Sequence, residues 1–295
     1  MNTDSLAGVV YVTSGLGGMS GAQAKAGEIA GCISVIAEIN EAALDKRHKQ
    51  GWLKEKFVDL SSLMTRIAEA KAKKEGTSLG YLGNIVDLWE RLAEENITIE
   101  LGSDQTSLHN PYGGGYYPVG ISLEEAISLL KSDSKKFDSL VKASLVRHVN
   151  AVNKMVAKGM KFWDYGNSFL LEAGRAGADI FSCEATKTFK YPTYFEEMMD
   201  DIFALGFGPF RWICASCSEH DLHKTDEIAA QVITELMKAA PSPVALQYKD
   251  NLKWIKEADS HKLVVGSKAR ILYADTQARV LISQKFNEAI ANGII

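Results

Sequence analysis

The sequence predicts an α/β fold in which a mostly parallel sheet is flanked by helices. Three observations predict it: short apolar β-branched runs alternate with helix-period segments, a glycine-rich turn joins the first run to the first helix, and the first two runs lie about 30 residues apart or less, one right-handed crossover. Gly8-Val-Val-Tyr-Val-Thr-Ser14 is apolar and stopped by Gly15, as expected of a strand buried on both faces. After the turn Gly15-Leu-Gly-Gly-Met-Ser-Gly21, residues 22–30 are rich in Ala, Gln, Lys and Glu and favour helix. Residues 32–38, Cys-Ile-Ser-Val-Ile-Ala-Glu, read as the second strand.

The alternation continues. In 60–74, Leu63, Ile67 and Ala70 fall on one helix face. Residues 77–82 read as a strand, 85–95 as a helix, and Ile97-Thr-Ile-Glu-Leu101 as an alternating strand. Ser122-Leu-Glu-Glu125 forms a capping box that opens a helix over 123–130, a long amphipathic helix covers 135–158, and 161–164 reads as another strand. Beyond about residue 200 the rhythm weakens: 206–212 reads as a loop rich in Gly, Pro and aromatics, and a helix over 227–240 is closed by Pro241-Ser-Pro243. No internal repeat is visible.

Composition narrows the function classes. The 295 residues carry 33 basic and 37 acidic side chains, net −4, so the basic footprint of a nucleic-acid binder is absent and no nucleic-acid partner is expected. No apolar run reaches the ~20 residues of a membrane span, and Met1-Asn-Thr-Asp-Ser5 lacks a basic leader, so no membrane partner is expected. Four cysteines in such a length do not make a disulfide framework, which favours a reducing, cytoplasmic compartment.

Five segments could carry chemistry. A dinucleotide needs a tight strand-to-helix turn, a bare backbone beside its pyrophosphate and helix N–H groups aimed at the phosphates. Gly15, Gly17 and Gly18 meet the first two needs, although Ser20 takes the usual third glycine position, with Gly21 one residue on. Glu38, 23 residues beyond Gly15, has the spacing of the acid that meets the adenosine ribose, and an acid there favours NAD over NADP. A glycine-rich turn without a ligand is the plain alternative. Residues 104–118 follow a strand end and gather hydroxyls, amides, His109 and tyrosines around three glycines; they suit either a ligand loop or a self-capped structural loop. Trp163-Asp-Tyr-Gly-Asn167 also ends a strand with aromatic and amide groups. In Gly206-Phe-Gly-Pro-Phe-Arg-Trp212 the Arg211 fork suits a substrate carboxylate, or else stacks on its aromatic neighbours. Cys214, Cys217, His220 and His223 are spaced too tightly for an ordinary zinc site, so no metal is expected.

Taken together, TSGLGGMSGAQ (13–23), LGNIVDLW (82–89), DQTSLHNP with GGYYPVG (104–120), WDYGN (163–167), GFGPFRW (206–212), HKTD (223–226) and VGSKARILYAD (265–275) resemble urocanase, the hydratase of histidine breakdown that converts urocanate to imidazolonepropionate. The resemblance runs in order along nearly the whole chain. It implies a Rossmann-like NAD-binding domain over 1–200 and an incomplete second α/β region, part of the outer domain, over 201–295. It further implies a hydro-lyase with tightly bound NAD acting as electrophile without net redox, and a homodimer. By the same resemblance NAD contacts fall on Gly18, Met19, Ser20, Glu38, Asn84, Ile85, Gln105, Thr106, Ser107, Leu108, His109, Tyr116, Tyr117 and Tyr165. Arg211 falls where the family is thought to hold the substrate carboxylate.

Three departures stand against the pattern. The cysteine of bacterial members falls on Leu272, so the catalytic residue is unassigned, and animal-type chains also carry Leu there. An arginine of the bacterial ribose cluster falls on Ala43, with Lys46 and Arg47 nearby. Family chains extend further on both sides, so the resemblance implies the middle of a larger enzyme. Two rivals remain open: an inactive NAD-binding module, and an ordinary NAD-dependent dehydrogenase.

Overall fold

The computed structural model describes residues 5–18, 20–95, 97–104, 110–166, 168–262 and 268–295. They form two compact units, Met1–Glu197 and Met198–Ile295, each taken by itself below.

The first unit alternates strand and helix: β1 (Val10–Ser14), α1 (Ala22–Ile29), β2 (Ile33–Glu38), α2 (Glu41–Lys49), β3 (Glu55–Phe57), α3 (Leu60–Lys73), β4 (Thr77–Leu82) and α4 (Ile85–Glu94). β5 (Leu101–Ser103), α5 (Leu123–Ser132), α6 (Ser134–Ala157), β6 (Lys161–Trp163) and α7 (Phe169–Arg175) follow, then the short antiparallel pair β7 (Phe181–Cys183) and β8 (Thr188–Phe189). Six strands make one parallel sheet in the order β3-β4-β2-β1-β5-β6. The order reverses at β1: β2, β3 and β4 lie to one side of it, with β3 at the edge, and the chain then crosses to β1's other side for β5 and β6. In such sheets the crevice beyond the strand ends at the reversal is the ligand site.

Both faces of the sheet are covered, which is why its strands read as near-continuous apolar runs. In β2, Ile33, Val35 and Ala37 join the core beneath α3, α4 and α6, together with Leu63, Trp89 and Val149. Ile36 joins Leu16, Ala24, Leu44 and Leu53 beneath α1 and α2. Each large side chain so buried contributes about 1.5–3 kcal/mol. The expected capping box is present at α5: Ser122 accepts from the Glu125 N–H at 3.1 Å and Glu125 accepts from the Ser122 N–H at 2.8 Å.

The expected strand over 97–101 is displaced. The ladder with β1 starts only at Leu101, because the Val10 N–H is taken at 2.9 Å by the Glu100 carboxylate. Ile99 is buried without joining the ladder. The elements α2 and β3 were not expected at all.

In the second unit α8 (Asp200–Ala204) precedes β9 (Gly208–Ile213), α9 (Glu219–Ala239), α10 (Ser242–Glu257), β10 (Ala269–Ala274) and α11 (Thr276–Ala291). The segment expected as a loop is strand β9, paired antiparallel with β10. Its Gly-Pro start hides a period of two, with Trp212 inward and Arg211 and Ile213 outward. α9 begins eight residues before the expected 227, on a Ser218 cap that accepts from the Asp221 N–H. The prolines expected only to end α9 also open α10. The three long helices enclose Phe207, Trp212, Ile233, Tyr248, Leu252, Leu272 and Ile282. Among the described residues no helix is long and apolar enough to cross a membrane.

Candidate nucleotide site

The site begins where β1 ends. Gly15 has φ +92°, a left-handed conformation that favours glycine, and its N–H donates to the Ala37 carbonyl at 2.8 Å. The chain then turns into α1, which starts without a capping side chain, whereas α2, α3 and α4 are capped by Asn40, Asp59 and Asn84. An uncapped start leaves helix N–H groups for an outside acceptor. A Cβ placed on Gly17 or Gly18 would meet nothing within 4 Å, so this backbone lies open.

Side chains from neighbouring elements fix the turn. The Glu38 carboxylate, at the end of β2, accepts from the Leu16 N–H at 2.7 Å and from the Asn40 N–H at 2.8 Å. From α2, Arg47 donates through Nε to the Leu16 carbonyl at 3.0 Å and through Nη2 to the Gly17 carbonyl. At the end of β4, Asn84 caps α4 through the Val86 N–H at 2.9 Å, and its Nδ2 donates to the Tyr117 carbonyl at 3.0 Å. That bond brings the Gly114–Tyr117 stretch across to the turn.

The result is a cleft of about 550 Å³. Of the residues singled out from sequence, Gly18, Ser20, Glu38, Asn84, Ile85, Tyr116 and Tyr117 line it, together with Gly15, Gly17 and Ala43. Met19, Gln105, Thr106, Ser107, Leu108 and His109 lie outside the described residues. Beside the last five, Asp104 is buried, and its Oδ1 accepts from the Tyr165 N–H at 2.5 Å. Tyr165 thus abuts the end of β5, its ring stacked on Tyr194 at 5.3 Å, and is not among the residues lining the cleft.

Sequence reasoning missed two participants. Arg47, left without a task beside Ala43, faces the turn's carbonyls; only a tertiary contact across about 30 positions reveals this. His148 of α6 lies behind the cleft wall, Nδ1 3.3 Å from the Tyr116 hydroxyl and its ring 4.8 Å from Phe169. Burial pulls the His148 imidazole down to about 3 and pushes the Tyr116 phenol above its ordinary range.

In the second unit Arg211 stands exposed on the outer face of β9, opposite Ile271. Leu272, one residue further along β10, points the other way, 4% exposed within the apolar core. The four Cys and His side chains diverge: Cys214 is buried against Thr225 at 3.7 Å, Cys217 is exposed, His220 lies beside Asp221 and His223 beside Asp259. Among the described residues no group of three or more His, Cys, Asp and Glu side chains is placed so that it could hold a metal ion.

The chain matches two family models end to end, the Urocanase Rossmann-like domain over residues 1–198 and the Urocanase C-terminal domain over 201–295. The chain belongs to the urocanase family. It is 56% identical to a probable urocanate hydratase of Caenorhabditis elegans over 99% of its own length and 44% of that protein's. It is 54% identical to the urocanate hydratase of Mus musculus and 52% to a probable one of Dictyostelium discoideum, over 100% of its length and 45% and 44% of theirs. The chain therefore spans less than half the length of these curated relatives.

Two urocanase-like segments of the second unit meet in its interior. Arg270, from the segment 265–275, binds the Asp226 carboxylate of the segment 223–226 through Nε at 3.1 Å and Nη2 at 2.8 Å, and reaches Asp259 at 2.9 Å. Burial raises the Asp226 carboxyl against the lowering pull of this arginine. The adjacent Thr225 accepts from the Trp212 indole at 3.0 Å. The alternation of β9 and β10 thus divides one motif between tasks: Trp212 and Arg270 hold the interior, while Arg211 faces outward.

Proposed function

We propose that this chain is the nucleotide-binding region and adjoining part of a urocanate hydratase, a hydro-lyase that adds water to urocanate in histidine breakdown and holds NAD at the glycine turn. The observation that carries this reading is the pairing of an open, uncapped glycine turn with the Glu38 carboxylate beside it, in a family whose members are named for that reaction. The cleft fits a dinucleotide: bare backbone at Gly17 and Gly18 for the diphosphate, an acid for the ribose hydroxyls, and walls from Asn84, Ile85, Tyr116 and Tyr117. Glu38 has two further lone-pair positions free for hydroxyl donors while it holds the Leu16 and Asn40 N–H groups. Met19, Tyr165 and residues 105–109 join this site by family resemblance. Bound there, NAD supplies an electrophilic nicotinamide ring with no net redox change. Arg211 binds the substrate carboxylate, its exposed fork matching two oxygens. A cytoplasmic homodimer completes the reading.

The test is to release the nucleotide from purified protein and identify it, then to follow urocanate's ultraviolet absorbance. Bound NAD, with urocanate loss and no NADH absorbance, is expected from the complete enzyme. In that enzyme Arg211→Ala weakens urocanate binding and leaves NAD bound. NADH appearing on turnover would turn the reading to a dehydrogenase, and a protein that retains NAD but never consumes urocanate would turn it to an inactive module.

A further inference from the structure

Arg47 is buried, 5% exposed. Its donors go to the Leu16 and Gly17 carbonyls and, at 2.7 Å, to the Gln50 amide oxygen, and its guanidinium carbon lies 5.0 Å from the centre of the Trp52 ring. Among the described residues no carboxylate pairs with it. A buried cation without a counter-charge is costly, so its retention calls for an anion from elsewhere. The turn's polar groups are also sorted. The arginine takes the carbonyls of Leu16 and Gly17, while the N–H groups of Gly17 and Gly18 find no acceptor among the described residues. Behind the turn there is no spare room. A Cβ on Gly21 would fall 2.2 Å from Arg47 Nε and 2.6 Å from the Gly17 carbonyl oxygen. The glycine that breaks the usual spacing of the motif is thus the one the arginine passes.

We propose that Arg47 is a positioning residue for the diphosphate of the bound nucleotide: it holds the turn's carbonyls away from the ligand, leaves the turn's N–H groups to face it, and supplies the positive charge that a diphosphate balances. This rests on the nucleotide reading above and adds to it the group that makes the turn anion-selective.

The experiment titrates NAD, ADP and adenosine onto the full chain and its variants by calorimetry at low and high salt, with circular dichroism as the check on folding. Arg47→Met is expected to bind NAD and ADP about tenfold more weakly, the loss of one charge-assisted interaction. Its adenosine affinity stays at the wild-type value, because adenosine carries no phosphate. Arg47→Lys keeps the charge but cannot span both carbonyls, so it recovers part of the ADP affinity, and that recovered part weakens at high salt. Gly21→Ala lowers ADP affinity through the same turn, so with Arg47→Met the two effects are less than additive. Equal ADP affinity in wild type and Arg47→Met overturns the proposal while leaving the nucleotide site intact. An adenosine loss as large as the ADP loss also overturns it, by reducing Arg47 to a structural prop. If Arg47→Met does not fold, the Lys variant decides: ADP affinity and salt dependence identical to wild type overturn the proposal. A wild-type chain that binds none of the three removes the site reading itself.

Discussion

Replacing Glu38 separates the task the structure shows, holding the turn, from the one proposed above, selecting the nucleotide. The carboxylate accepts two backbone N–H groups, at 2.7 Å from Leu16 and 2.8 Å from Asn40. A hydrogen bond to a charged group contributes about 1.5–3 kcal/mol. Glu38 is only half-buried, so water replaces part of each bond, and Glu38→Ala should cost about 2 kcal/mol in all. For a unit of this size that corresponds to a Tm lower by about 4–8 °C. Glu38→Gln keeps one oxygen to accept one N–H but turns an amide donor toward the other, so about half the cost remains. Selectivity changes as well. On the nucleotide reading proposed above, the carboxylate would accept from two ribose hydroxyls and repel a 2′-phosphate, so both variants should bind NAD about tenfold more weakly and lose most of their preference over NADP. Thermal unfolding by circular dichroism gives the first effect, and paired titrations with NAD and NADP give the second. A Glu38→Ala chain with wild-type Tm and an unchanged NAD-to-NADP ratio would refute both the clamp and the ribose assignment.

Two further outcomes follow from buried groups. His148 has a folded value of about 3, below its ordinary value, so below about pH 6.5 the unfolded chain takes up a proton that the folded chain refuses. Its stabilising share is complete above that pH and declines by at most about 1.4 kcal/mol per unit toward pH 3. In His148→Phe this share of the decline disappears, while the lost bond to Tyr116 costs about 1–3 kcal/mol at pH 7. Urea unfolding at pH 7, 5 and 4 should therefore show wild type and variant converging, and parallel curves would exclude the argument. Leu272→Cys introduces the bacterial-type residue into a side chain that is 4% exposed in the second core. It should cost about 1.5–3 kcal/mol by leaving a void and add no fast-reacting thiol beyond the exposed Cys183 and Cys217. Rapid labelling of a third thiol would show that this face of β10 is open.

What could be read from sequence follows from how local each cause is. β1, α1 and β2 were legible because both sheet faces are buried, so the strands are near-continuous apolar runs and Gly15 and Gly31 end their segments at positive φ. The capping box at Ser122 was legible because its two bonds lie within four residues. α2 was not: with Glu41, Asp45, Lys46, Arg47, His48 and Lys49 in one short helix, it shows little apolar period, and only Leu44 joins the core beneath it. β9 was masked by its Gly-Pro start, and the true start of α9 by polar first turns that rest on a serine cap. The place of Glu38 beside the turn follows from strand length, which spacing reports. The task of Arg47 depends on where α2 docks, and spacing does not report that.

The two peptides that flank Leu16 are each held by a charged side chain, although the turn is not tightly packed. At Leu16 the N–H is held by Glu38 and the carbonyl by Arg47, an anion on the donor and a cation on the acceptor. Each charge thus meets the end of a peptide dipole that it stabilises, Glu38 on the Gly15–Leu16 peptide and Arg47 on the Leu16–Gly17 peptide, so both flanking peptides are held although the neighbouring Gly17 and Gly18 have open space where side chains would be. A loop of bare glycines would otherwise lose more backbone freedom on binding a ligand than any other composition. Holding it from both sides places that entropic cost in folding, where the first unit's core, from Trp89 to Phe162, can offset it. Among the described residues the N–H groups of Gly17 and Gly18 find no acceptor, so on the reading proposed above they would already be in position for a diphosphate when it arrives. Clamping from β2 and α2 is what turns a permissive sequence of glycines into a site of defined shape.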